Sequence, residues 1–132
     1  MNPVVHFELP YHDADRASAF YNAVFGWKYQ KLGPQTGDYI LFITCEEDAK
    51  PGKPAGAIDG GMFPFKQDWP AQYPTIVIGV GNIYETIQLI KQHGGEVLGE
   101  PHEIPGTGKY VAFIDTEGSR LSLIEPISFR SA

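Results

Sequence analysis

His6 and Glu8 stand two residues apart in the run VVHFELP, close to the start of the chain. The run is rich in β-branched and apolar residues, which predicts a strand, and side chains two apart in a strand point to the same side of its sheet. An imidazole and a carboxylate on one side could hold a divalent ion with help from elsewhere, or act as an acid–base pair. Alternatively, Glu8 accepts hydrogen bonds in a polar wall and His6 is an uncharged histidine whose hydrogen bonds are satisfied.

A second pair of polar side chains two residues apart, Arg120 and Ser122, occurs in the run RLSLIE near the other end of the chain. This run also predicts a strand, so both side chains are expected on one side of a sheet. Buried charges are normally paired, and an ion pair between Glu8 and Arg120 is therefore a further alternative for Glu8. Such a pair would support the fold or orient a ligand.

The composition excludes several classes of partner. The chain has 132 residues, of which 42% are hydrophobic and 13% aromatic, enough for a packed interior. Its net charge is −6 and it has no cluster of Lys and Arg, which argues against nucleic acid and against an anionic membrane surface. No apolar run approaches the roughly 20 residues of a membrane-spanning helix. The single cysteine, Cys45, cannot form an internal disulfide, and we expect a cytoplasmic protein.

The order of predicted elements repeats. A strand over Val4–Leu9 precedes a helix that Asp13 caps and Gly26 ends, and β-rich runs follow at Trp27–Lys31, Tyr39–Cys45 and Ala57–Met62. The second half reads as a strand at Thr75–Val80, a helix capped by Asn82 and closed by Gly94 and Gly95, and strands at Glu96–His102, Tyr110–Asp115 and Arg120–Glu125. The sequence therefore predicts βαβββ twice within one domain over residues 1–132, with modules at about 1–63 and 74–132 and a linker at about 64–73.

The linker region is unusually apolar for a surface connection. The stretch GGMFPFKQDWPAQYP contains Met62, Phe63, Phe65, Trp69 and Tyr73. We expect these residues to pack over a cavity, to bury a dimer interface, or to contact a flat hydrophobic ligand, for which Trp69 is the candidate.

The paired βαβββ order, with HFELPYHDADRASAFYNAVFGW in the first half, resembles the vicinal oxygen chelate superfamily, which contains glyoxalase I, the bleomycin-resistance proteins and the extradiol dioxygenases. The helix segment DRASAFYNAVFGW is the most specific piece, and the ending GGEVLGEPHEIPGTGKYVAFIDTEGSRLSLIEP is similar to the usual second-half pattern. The resemblance implies an α+β fold in which two βαβββ modules form curved mixed sheets around a shared cavity. It also implies a homodimer. It covers nearly the whole chain but specifies the reaction weakly, because the superfamily hosts unrelated reactions.

The resemblance also implies where a metal would bind. Metal-using members place one ligand on the first strand and one on the last strand of each module. The first-strand positions fall on His6 and Thr75, the last-strand position of the second module falls on Ser122, and that of the first falls on Gly60 or Gly61. One ligand of four is retained, whereas a divalent ion needs about three or four N or O ligands. We therefore expect no metal site with a complete set of ligands, although His6 and Glu8 could hold a divalent ion with help from elsewhere.

Three functions follow as hypotheses. The first is a metal-independent protein that binds a small, partly aromatic or cationic molecule through His6, Glu8, Trp69, Thr75, Arg120 and Ser122. The second is a lyase, isomerase or dioxygenase that uses a divalent ion held by His6, with Glu8 also a candidate catalytic residue. The third is an accessory domain that binds a partner protein in its groove.

Overall fold

The structure is a computed structural model that describes residues 1–44 and 58–127. These ranges contain eight β-strands, in parallel and antiparallel pairs, and two α-helices, which is the predicted α+β class. Cys45 and Ala57, at the ends of two predicted strands, lie outside the described residues. Neither helix in the described ranges has the length and apolar character needed to cross a membrane. The contacts divide the chain into a first unit, His6–Trp69, and a second unit, Met1–Val5 with Pro70–Ala132.

The first unit follows the order βαβββ. Its elements are β1 (Val4–Tyr11, whose first two residues belong to the second unit), α1 (Ala14–Phe25), β2 (Lys28–Lys31), β3 (Ile40–Ile43) and β4 (Gly60–Pro64). The strand order is β2-β3-β4-β1, with β1 parallel to β4 and the other neighbours antiparallel. The strand predicted to end at Met62 instead continues to Pro64, so Met62 and Phe63 belong to β4 rather than to a covering linker.

Both predicted ends of α1 are confirmed. The carboxylate of Asp13 accepts a hydrogen bond from the backbone N–H of Arg16 at 2.9 Å, which satisfies one of the free donors of the first turn. At the other end Gly26 adopts the left-handed conformation, with φ of 72°, and its N–H donates to the carbonyl of Asn22. These short-range signals are sufficient to place the helix after β1.

The side of the first sheet that faces α1, here called its helix side, carries the core of the unit. Fully buried Ile40, Phe42 and Met62 form its centre. Partly buried apolar residues packed against them come from β1, α1 and the start of the next segment: Phe7, Leu9, Tyr11, Ala14, Ala17, Tyr21 and Trp27. Because Phe7 and Leu9 face the helix side, the alternating residues His6 and Glu8 face the opposite side, here called the open side.

The second unit repeats the order. Its elements are β5 (Thr75–Gly79), α2 (Ile83–Gln92), β6 (Glu96–Ile104), β7 (Gly108–Ile114) and β8 (Arg120–Pro126). They are arranged β5-β8-β7-β6, with β5 parallel to β8. The first residues of the chain join this unit, because the N–H of Gly79 donates to the carbonyl of Pro3 at 2.9 Å.

The second core is built in the same way. Asn82 caps α2, and its side-chain oxygen accepts from the N–H of Glu85 at 3.1 Å, as predicted. Buried residues from α2, β7 and β8, with Val80 directly after β5, fill the helix side of this sheet: Val80, Ile83, Ile87, Val111, Phe113 and Leu123. In each unit, therefore, one side of the sheet packs against the helix of that unit, and the other, open side carries the polar residues singled out in the sequence.

Candidate functional site

The open side of the first unit brings His6 and Glu8 together on β1, as the spacing predicts. Glu8 is only 7% exposed, and His6 is partly buried. In the parallel pair of β1 and β4, Glu8 lies opposite Gly61. Residues opposite one another on neighbouring strands share a side of the sheet. A side chain at position 61 would therefore lie on the same surface as His6 and Glu8.

The structure decides between Gly60 and Gly61 as the last-strand position on the open side. A Cβ on Gly60 would lie 2.4 Å from the ring of Phe7, on the helix side, whereas a Cβ on Gly61 would lie 2.2 Å from the Tyr39 hydroxyl. The position on the same side as His6 is therefore Gly61, and the phenol of Tyr39 fills the space that a side chain there would use.

Tyr39 also contacts His6 directly. Its hydroxyl lies 2.8 Å from Nε2 of His6, and the two rings are nearly parallel. Burial of the ring lowers the pKa of His6 below its ordinary value of 6.5, and the nearby Glu8 and Asp59 carboxylates oppose this shift without reversing it. His6 is therefore an uncharged imidazole at neutral pH, hydrogen-bonded to a phenol beside a buried carboxylate.

The lowered pKa of His6 predicts a pH dependence of stability. In the unfolded chain His6 binds its proton near pH 6.5, whereas in the folded protein it does so only at lower pH, so the free energy of unfolding falls as the pH drops from 6.5 through the folded pKa. Urea unfolding of the wild type and of His6→Gln at about pH 7.5 and about pH 5.5 measures this. We expect the wild type to lose more stability than the variant over that interval. An equal loss in both proteins would contradict the prediction.

On the open side of the second unit, two hydroxyls occupy the positions where ligands were considered. The hydroxyl of Thr75 donates a hydrogen bond to the backbone carbonyl of Arg120. Ser122, 1% exposed, lies opposite Val77 on β5, and its hydroxyl is 2.6 Å from that of Tyr110. Each hydroxyl therefore makes a hydrogen bond within the second unit.

Arg120 lies on the same side of β8 as Ser122, as predicted. Its guanidinium donates through Nη1 to the carbonyl of Pro70 at 3.0 Å, which anchors the start of the segment leading to β5. Trp69 ends the first unit with its side chain 45% exposed. Glu8 and Arg120 belong to different units, and their ion pair stays a prediction.

The side chains at the four implied ligand positions do not fit a divalent ion. They are one imidazole at His6, no side chain at Gly61, and the hydroxyls of Thr75 and Ser122, which are poor ligands for the ions that imidazole selects. Among residues 1–44 and 58–127, no three His, Cys, Asp or Glu side chains converge on a point where an ion could sit. No chemical step through a metal follows from this set.

Sequence reasoning missed three residues that matter here: Tyr39, Tyr110 and Glu125. Glu125 is 5% exposed, and its Oε1 accepts from the N–H of Ile83 at the start of α2 at 3.1 Å. The alternation of Leu121, Leu123 and Glu125 along β8 is a signal for it, because it places a carboxylate on the apolar helix side. Tyr39 has no local signal with respect to His6, since 33 residues separate them.

Comparison with known proteins agrees with the fold. The chain is 27% identical to the lactoylglutathione lyase of Haemophilus influenzae over 131 residues, which cover 97% of this chain and 96% of that protein. It is 28% identical over 115 residues to a glyoxylase-like domain-containing protein of Didymella fabae, covering 85% of this chain and 84% of that protein. A solved methylmalonyl-CoA epimerase in complex with methylmalonyl-CoA and NH4+ shares 17% identity and a TM-score of 0.68, with 98% of this chain and 97% of that chain covered.

The sequence model of the Glyoxalase/Bleomycin resistance protein/Dioxygenase superfamily matches residues 4–123, nearly the full length of the chain. The match begins at the start of β1, ends within β8, and includes every candidate residue on the open sides. This chain belongs to the Glyoxalase/Bleomycin resistance protein/Dioxygenase superfamily.

Proposed function

We propose that this protein binds a small molecule without a complete metal site. The observation that carries the proposal is the phenol of Tyr39, which occupies the space above Gly61 and hydrogen-bonds the one retained imidazole, His6. A metal at this point would need His6 Nε2 and a ligand from β4. The hydroxyl of Tyr39 occupies Nε2 through a hydrogen bond, and its ring fills the space of the β4 ligand. Ligand recognition then relies on hydrogen bonds and charge.

The chemistry of the open side of the first unit favours a ligand with N–H donors or a positive charge. Glu8 supplies a buried carboxylate, and His6 and Tyr39 add uncharged hydrogen-bonding groups. The net charge of −6 favours the approach of a cation. Trp69 offers an exposed indole for an aromatic or flat part of the ligand. Thr75, Arg120 and Ser122 are further candidate ligand-binding residues.

Thermal melting in the presence of a library of amines, guanidines and aromatic cations tests this function. A ligand at 100 times its Kd should stabilise the protein by about 2.7 kcal/mol. We expect the resulting shift in Tm to be lost in Glu8→Gln and in Trp69→Ala. The matched control is Glu96→Gln, which removes an exposed carboxylate on β6 and should keep the shift. A shift that survives Glu8→Gln would contradict the assigned role of Glu8, and no shift across the library would favour a partner-protein function.

A second candidate function is a lyase, isomerase or dioxygenase that depends on a divalent ion held by His6, with Glu8 as a further candidate residue. It is favoured by the retention of His6 on β1 and by the full-length similarity to proteins named lactoylglutathione lyase. Metal analysis of protein purified without chelator or a histidine tag separates the two functions. We expect well under one ion per chain. About one ion per chain, lost in His6→Ala, would establish the metal-dependent function instead.

We also propose that the protein is a cytoplasmic homodimer. Helix α1 leaves Phe20, Val24 and Phe25 each more than half exposed, and neighbouring exposed apolar side chains of this size are typical of an interface. We expect light scattering at micromolar concentration to give twice the chain mass, and Phe20→Ser with Val24→Ser to give a folded monomer. A monomeric wild type would overturn the dimer, and cell fractionation tests the location.

A further inference from the structure

Tyr39 and Tyr110 occupy equivalent positions in the two halves of the internal repeat. Similar runs occur at the third strand of each half: YILFI at 39–43 comprises Tyr39 and β3, and YVAFI at 110–114 is the end of β7. In both halves the tyrosine precedes by two residues the partner of the last-strand position: Leu41 lies opposite Gly61 and Ala112 lies opposite Ser122. The two tyrosines therefore stand on the open side of their own sheets, next to the last-strand position.

Each hydroxyl reaches that position within its own unit. The phenol of Tyr39 lies where a Cβ of Gly61 would be, 2.2 Å from the ideal Cβ, and the phenol of Tyr110 lies 2.6 Å from the hydroxyl of Ser122. The same contact thus occurs twice, once against a glycine and once against a serine. The two phenol hydroxyls therefore end at the same register of the two sheets.

The contact in the first unit has a second part. The hydroxyl of Tyr39 is hydrogen-bonded to Nε2 of His6. This is the ring nitrogen that an ion placed between His6 and Gly61 would have to bind. A ligand atom entering this point must therefore break the hydrogen bond and displace the phenol. Gly61 is required for this arrangement, because any side chain there would collide with the ring of Tyr39.

We propose that Tyr39 is a specificity-determining residue that closes the His6 position to divalent ions, with Tyr110 as its counterpart at Ser122. The inference rests on the proposed metal-independent function and names the residue responsible for it. His6, Glu8 and position 61 lie on neighbouring parallel strands about 4.8 Å apart, so a carboxylate at position 61 would complete a three-ligand set with them. The phenol of Tyr39 occupies the space that this carboxylate side chain would need.

Cobalt(II) titration followed by visible absorbance tests this role through binding alone. Gly61→Glu supplies the missing carboxylate while keeping Tyr39, and Gly61→Glu with Tyr39→Ala supplies it with the phenol removed. We expect the double variant to bind Co2+ at least about tenfold more tightly than the single variant, and to lose binding when His6→Ala is added. The wild type should bind Co2+ weakly.

Two further variants keep the test decisive. Gly61→Glu with Tyr29→Ala removes an exposed tyrosine from β2 and should bind Co2+ like the single variant. Gly61→Glu with Tyr39→Leu keeps apolar bulk for folding, which circular dichroism checks, and should bind like the alanine double variant. Equal affinities with and without Tyr39 would overturn its role. Stoichiometric Co2+ binding by the wild type, lost in His6→Ala, would instead overturn the metal-independent function.

Discussion

Gly108→Ala is expected to destabilise the protein by about 3 kcal/mol or more, through backbone strain and overpacking together. Gly108 begins β7 with φ of 152°, and a Cβ there would lie 2.2 Å from the carbonyl oxygen of Glu125 on β8. Backbone atoms of a paired strand cannot rotate away as a side chain can, so the two strands would have to separate. Urea unfolding of wild type and variant measures the loss.

A second glycine in the same hairpin provides the control. Gly106 also has a positive φ, of 75°, but a Cβ there would meet nothing within 4 Å. Gly106→Ala should therefore cost only the conformational penalty, about 1 kcal/mol. Equal losses in the two variants would show that the close approach of β7 and β8 at Gly108 does not matter. Because this approach holds Tyr110 beside Ser122, Gly108→Ala should also disturb the 2.6 Å hydrogen bond between them.

Glu125→Ala is expected to cost about 2 to 4 kcal/mol of stability, since it leaves a buried N–H without its acceptor and creates a cavity. The carboxylate of Glu125 accepts from Ile83 at the N-terminus of α2, where the helix dipole also favours a negative charge. Ile83 is fully buried in the second core, so its N–H is not in contact with bulk water. Chemical unfolding at neutral pH measures the cost.

Glu125→Gln separates the hydrogen bond from the charge. The amide keeps an oxygen that can accept from Ile83 and has nearly the same volume, so we expect a loss of about 1 kcal/mol. Exposed Glu96→Gln should change stability by less than about 0.5 kcal/mol. A loss in Glu125→Gln as large as that in Glu125→Ala would show that the charge, rather than the acceptor, is what α2 requires.

Local features were predictable because their causes are local. Asp13 and Gly26 delimit α1 through hydrogen bonds that span three or four residues, and both ends are found where the sequence puts them. The shared side of His6 and Glu8 follows from the two-residue period of a strand. Strand ends were predicted less well, as the extension of β4 to Pro64 shows, because strand length depends on the partner strand.

The contents of the candidate site depend on register between distant segments. The sequence left Gly60 and Gly61 as alternatives for the last-strand position, and only the pairing of Glu8 with Gly61 in β1 and β4 separates them. A shift of one residue would have turned the other glycine to the open side. The same register brings the phenol of Tyr39 from a hairpin 33 residues away onto His6.

By itself, the sequence determined the α+β class and the double βαβββ order, because these depend on residue types and short periodicities. Its resemblance to the superfamily, which the family match confirms, implied four metal-ligand positions, of which only His6 carries a typical ligand. The tertiary structure decided what lies beside two of these positions: the phenol of Tyr39 next to Gly61, and the hydroxyl of Tyr110 hydrogen-bonded to Ser122. It also lowers the pKa of His6, because the burial of the ring depends on the whole fold. Contacts between strands distant in sequence are set by register and packing, and no local pattern encodes them.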